Sequence, residues 1–175
     1  ACGGTQPSVA EPTLPKHHPW RLFPMLADSA WAYDVDTGDG DNVLAVTRVV
    51  SVNGHQIEVA TGNDVATRYE LREDGIIRVS SGAYLIRQPI ETGASWPSGG
   101  DKTATISSTN VAIQTPSGSY SECVAIDEVG AESGLNIRIV YCPDVGPVEV
   151  QSHMQLRGQD VRVIARLRGA QVGSR

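Results

Sequence analysis

Residues 24–31 read "PMLADSAW", and residues 89–96 read "PIETGASW". Each stretch has a proline, an apolar residue, a polar run, small residues and a tryptophan, with the same spacing from proline to tryptophan. The residues beyond each tryptophan also match. After Trp31 come "LAVTRVVSV", the pair Asn53-Gly54 and "HQIEVA". After Trp96 come "TNVAIQT", a turn from Pro116 to Gly118 and "YSECVAI". Each half then has a further hairpin, "YELREDGIIRV" about Asp74-Gly75 and "YCPDVGPVEV" about Asp144 to Gly146. Asn-Gly and Asp-Gly between alternating apolar residues are strong hairpin signals. Shared order at an interval of about 65 residues predicts two similar β-units.

Neither unit can bury its apolar face alone. Packed together they predict an all-β fold, an antiparallel sandwich or barrel of about ten to twelve strands. The units span about 24–88 and 89–153, and a last pair of strands, 145–154 and 159–167, turns near Gly158. Trp31 and Trp96 are expected as equivalent structural plugs of the shared core, because large aromatics fill interior space.

Composition agrees with this reading. A chain of 175 residues fits one domain with a tail. Hydrophobic residues make up 40%, too many for a disordered chain. No run approaches the ~18 apolar residues of a membrane-spanning helix. A net charge of −6 argues against nucleic acid as the main partner. Arg162, Arg166, Arg168 and Arg175 read as a solvated final strand and tail.

The first residues stand apart. Between residues 3 and 19 lie Pro7, Pro12, Pro15 and Pro19 among Gly, Ser, Thr and Gln. Such a stretch buries too little apolar surface to offset the entropy of ordering. The expected organisation is a disordered tether over 1–21, a single β-domain over 22–168 and a tail over 169–175. Cys2 sits at the tether's free end. If fully extended, the tether would reach roughly 50 Å.

"Ala1-Cys2-Gly3-Gly4" resembles the lipobox of bacterial lipoproteins, where a signal peptide is removed before a cysteine that carries lipid. "MLADSAWAY" (25–33) and "GSYSECVAI" (118–126) are similar to stretches of small, uncharacterised bacterial envelope lipoproteins. The resemblance covers residues 24 to about 150, with Asp28-Ser29 where those proteins have a glycine before the first tryptophan. It implies lipid attachment at Cys2 and a site outside the cytoplasm, on an outer membrane facing periplasm or surface. It also implies membrane contact through the lipid and a protein partner in the envelope. No activity and no cofactor come with it.

With Cys2 assigned to lipid, Cys123 and Cys142 remain. An even pair in an oxidising compartment predicts a disulfide. Both lie in strand-like runs, and neighbouring antiparallel strands bring Cα atoms within ~4.5–5.5 Å. Closing that loop contributes roughly 3 kcal/mol. The spacing fits neither a redox Cys-x-x-Cys nor a zinc site.

Other chemistries find little support. Asp36, Asp39 and Asp41 in "DVDTGDGDN" are weak calcium candidates, and the glutamate that closes an EF-type loop is missing, with Ala45 at that place. The same residues suit a plain turn. Asp36-Thr37-Gly38 and Glu91-Thr92-Gly93 echo the paired acids of aspartic proteases. The two acids fall at unequal distances from their tryptophans, so they are not related by the repeat. His17 and His18 adjoin on the tether, a poor metal site, and no catalytic residues are assigned. The expected function is non-catalytic: a lipid-anchored accessory or structural subunit of an envelope assembly. The alternative is a carrier that encloses a hydrophobic ligand or lipid. The size of the interior cavity discriminates them, ligand pockets starting near ~300 Å³.

Overall fold

A computed structural model describes residues 13–40 and 42–174. Cys2, Asp41 and Arg175 lie outside the described residues. The fold is all-β and antiparallel. The first unit holds β1 (Ala30–Asp36), β2 (Asn42–Asn53), β3 (Gln56–Thr61), β4 (Thr67–Arg72), β5 (Gly75–Arg78) and β6 (Ala83–Arg87). The second holds β7 (Ser95–Gly99), β8 (Lys102–Thr115), β9 (Gly118–Gly130), β10 (Asn136–Cys142), β11 (Gly146–Leu156) and β12 (Gln159–Gln171).

Each unit is a six-stranded meander headed by its tryptophan. The units join where β1 pairs with β12, from Ala30↔Gln171 to Asp36↔Ile164, so all twelve strands form one sheet. The sheet curls into a nearly closed barrel. Its free edges, β6 and β7, face each other across a seam without backbone pairing. Side chains bridge the seam instead. Trp96 Nε1 donates to the Tyr84 carbonyl at 3.0 Å, and Arg78 Nη1 donates to the Ser98 carbonyl at 3.4 Å.

Period-two alternation sets the inward face. Trp31 and Tyr33 of β1, Ile57 and Val59 of β3, Ile106 of β8 and Val124 and Ile126 of β9 are all buried. The outward face carries ion pairs: Asp34–Arg168, Glu58–Arg68, Asp127–Arg138 and Glu149–Arg166. Alternate turns share one end of the barrel. Those at 37–40, 79–82 and 157–158 rim the mouth, and those at 54–55, 73–74 and 143–145 ring the base.

The base is plugged. A four-residue helix, α1 (Pro19–Leu22), leads into Phe23 and Met25, and Leu22, Phe23 and Met25 are buried. Phe23 meets the rings of Trp31 and Tyr69 edge-on, with centroids 5.2 and 6.2 Å apart. Trp20 Nε1 donates to the Arg72 carbonyl at 2.9 Å, beside the β4–β5 turn. The tip between β10 and β11 also bends inward. There Trp31 Nε1 donates to the Val145 carbonyl at 2.6 Å and Tyr33 Oη to the Pro147 carbonyl at 2.8 Å. The β8–β9 arm reaches past this tip to β12, where the Ser117 N–H meets the Leu167 carbonyl at 3.0 Å.

Two expected boundaries move. The tether was expected to run to residue 21, but Lys16 pairs with Glu122, His17 Nε2 lies 2.9 Å from the Glu122 carbonyl oxygen, and Arg21 pairs with Asp144. The reason lies in Trp20, Leu22 and Phe23, which supply apolar surface that the barrel base lacks. The tail expected over 169–175 is instead strand as far as Gln171, because β12 must run the full length of β1 to join the units. The C-terminal strand is therefore the sixth strand of the second unit. Arg162, Arg166 and Arg168 keep contact with solvent, as expected, and also bond to Gln151, Glu149 and Asp34 on the outer surface.

Candidate ligand cavity at the barrel mouth

Among the described residues no helix is long and apolar enough to cross a membrane, and no three His, Cys, Asp or Glu side chains converge as metal ligands. Of the calcium candidates, Asp36 accepts the Gly38 N–H at 2.8 Å in a local turn, and Asp39 is exposed. Asp36 closes β1 at the mouth, whereas Glu91 lies between β6 and β7 at the base. The barrel separates the two acids, so they form no dyad. His17 and His18 turn to different partners, the Glu122 carbonyl and the Trp20 N–H.

Trp31 and Trp96 are 0% and 3% exposed, both at the base end of their strands. Their bonds differ. Trp31 holds the inturned β10–β11 tip, whereas Trp96 ties the open seam. Cys123 and Cys142 are bonded across β9 and β10, with Cα atoms 4.3 Å apart.

A pocket of about 250 Å³ lies at the base between Trp20, Met25 and Leu71, and a second opens toward the mouth. There a cavity of about 290 Å³ stands over Phe23, between β1–β6 on one side and β10–β12 on the other. Tyr33, Leu85, Ile139 and Val150 make its apolar wall, and Thr47, Thr61, Tyr69 and Arg78 bring polar atoms. It is open to solvent. Val43 follows Ala45 and Thr47 on the inward side of β2, yet it is 56% exposed.

Behind Arg78 lies a buried charge cluster. Glu128 is 1% exposed; its Oε1 accepts from Arg78 Nη2 at 3.3 Å, and Lys102 Nζ stands 3.2 Å from Oε2. The Lys102 contact is close enough for attraction but is not aligned as a hydrogen bond. Burial works against the Arg78 charge. The Glu128 carboxylate and the Tyr141 and Tyr69 phenols outweigh it, so Arg78 titrates above its ordinary range. Burial pushes the phenols of Tyr33, Tyr69 and Tyr141 upward, so they remain protonated donors.

Arg78, Tyr69 and Glu128 are absent from the sequence-based site residues. A signal existed in the parity of their strands. Ile76 and Arg78 share one face of β5, and Val124, Ile126 and Glu128 share one face of β9. An arginine and a glutamate that interrupt two inward apolar rows are candidates to meet inside.

Fold and cavity together define a class, a base-plugged, nearly closed antiparallel barrel with a small polar-tipped cavity. No family model matches the chain, and no curated protein matches it significantly. Among solved structures it is similar to a protein from Bacteroides fragilis, inferred to be exported and said to have a YmcC-like fold. The TM-score is 0.51 at 12% identity, over 85% of this chain and 98% of that one. A protein from Parabacteroides distasonis, inferred to be a lipoprotein, aligns at 13% identity and a TM-score of 0.46, over 86% of this chain and 98% of the other. The Bacteroides structure shares the fold; at that identity nothing else transfers.

Proposed function

We propose that the chain is a non-catalytic lipoprotein of a bacterial cell envelope, held at an outer membrane by lipid on Cys2 and serving as an accessory subunit for a protein partner. The observation that carries this reading is the docking of the segment before β1. Thr13 to Leu22 run along the barrel base, bound at Glu122 and Asp144, so a chain leading back to Cys2 leaves from that end. Ten residues separate Thr13 from Cys2, a reach of about 35 Å when extended. The base would face the membrane and the mouth would face away from it.

The outer surface supports a barrel that stands clear of the bilayer. Its ion pairs would be costly in lipid. Leu44 and Val46 on the outward face of β2, with Val50 at the bulge beyond them, are exposed at 37–59% and suit a protein partner. The resemblance to envelope lipoproteins and the exported character inferred for the Bacteroides structure point the same way. A general lipid carrier is the weaker reading, because about 290 Å³ is at the lower limit of ligand pockets.

Two measurements test the proposal. Labelled palmitate should enter the precursor expressed with its signal peptide, and Cys2→Ser should abolish the label; equal labelling of both would refute the anchor. A photo-crosslinker at Val46 in native envelopes should give one discrete hetero-adduct, and the same probe at Glu132 should not. An adduct of two copies of this chain, or no adduct, would overturn the accessory role.

A further inference from the structure

We propose that the mouth cavity binds a free medium-chain carboxylate, its anionic head against Arg78 and Tyr69 and its tail against the apolar wall above Phe23. This goes beyond the accessory role, and its failure would leave the lipid-anchor test untouched. Charge favours an anion. Among the described residues that line the cavity Arg78 is the charged side chain, and no described carboxylate lines it. Arg78 and Lys102 face the single acid Glu128, so the cluster carries one positive charge in excess, with Arg78 on the cavity side. Both cations are 23% exposed, and an anion entering the cavity would meet the excess charge in a partly desolvated place, where attraction is stronger than in water.

Donor supply favours a carboxylate. A guanidinium has five N–H donors in a planar fork suited to that group. Ser98 and Glu128 take two of the five at long range, 3.4 and 3.3 Å, and the Tyr69 phenol oxygen accepts a third, which leaves two for a ligand. The protonated Tyr69 phenol adds a further donor beside them.

Size sets the length of the tail. At ~30 Å³ per water-sized group, 290 Å³ holds about ten non-hydrogen atoms. Octanoate has that size. Tyr33, Leu85, Ile139 and Val150 offer its tail an apolar surface, and a longer chain would extend past Val43 through the open mouth.

Calorimetric titration of the full chain tests this with octanoate, 1-octanol and acetate. Octanoate should bind at one site, with octanol and acetate at least about tenfold weaker, the order expected when a charge-assisted contact or the tail is missing. Arg78→Gln should weaken octanoate at least about tenfold. Ala45→Phe, which puts a ring into the cavity, should abolish binding, and Arg48→Gln on the outward face should leave it unchanged. Octanol binding as tightly as octanoate, octanoate binding that survives Ala45→Phe, or no octanoate binding would overturn the proposal. If Arg78→Gln fails to fold, the ligand comparison and Ala45→Phe still decide.

Discussion

At the scale of single residues, the tightest fit is between Gly146 and Trp31. Gly146 has φ +109°, in the left-handed region, and a Cβ there would come within 2.7 Å of Trp31 Nε1. Gly146→Ala therefore combines backbone strain with a clash against a buried ring, and should cost about 2 kcal/mol or more. A lower urea midpoint at unchanged slope would show it. The inward tyrosines set the response to alkali. Burial raises Tyr33, Tyr69 and Tyr141, so the folded state keeps protons that the unfolded state releases above pH ~10. Stability should be intact below that pH and should fall as pH rises through the window, by about 1.4 kcal/mol per pH unit for each tyrosine still protonated. The absorbance of at least three of the five tyrosines should appear only together with unfolding; ionisation of more than two in the folded protein would contradict the burial.

At the scale of elements, the plug is the piece that sequence reasoning placed in the wrong compartment. Pro15 and Pro19 drew the tether boundary too late, because proline composition speaks for extension and says nothing of what an adjacent aromatic will find to pack against. Leu22 is 0% exposed beneath the barrel, so Leu22→Ala should destabilise the whole domain by about 2–5 kcal/mol. A plug merely resting on the base would show almost no change in the same denaturation experiment. The hairpins, by contrast, were legible. Asn53-Gly54, Asp74-Gly75 and Gly158 all mark real reversals, though the first two turns fall one residue away, at 54–55 and 73–74. Turn chemistry locates a reversal well and its register less well, because register depends on bulges such as the one between Val49 and Ser51.

At the scale of the whole molecule, the repeat predicted two units but not their manner of joining. Identical Trp-headed openings cannot say which pair of edges will close. β1 and β12 pair over seven positions, whereas across the seam the Trp96 indole of β7 reaches β6 and the Arg78 guanidinium of β5 reaches β7. Amides of β6 and β7 that face the seam should therefore exchange with deuterium faster than those facing the β1–β12 joint. Equal protection at both would mean a fully closed barrel. The cavity was illegible for a related reason. Its polar residues come from β2, β3, β4 and β5, and only the curl of the sheet brings them to one place.

Ser29 Oγ accepts the Gly173 N–H at 3.0 Å, so the start of β1 and the end of β12 emerge side by side. The plug lies at that same end, so a peptide could join the C-terminus to the segment ahead of α1, and the gene could be reopened between Gln88 and Ile90. Such a circular permutant would keep every ladder bond and break the covalent chain only where the wall is already unlaced. It should fold with a melting temperature close to that of the parent, whereas a permutant opened at Gly158 should not.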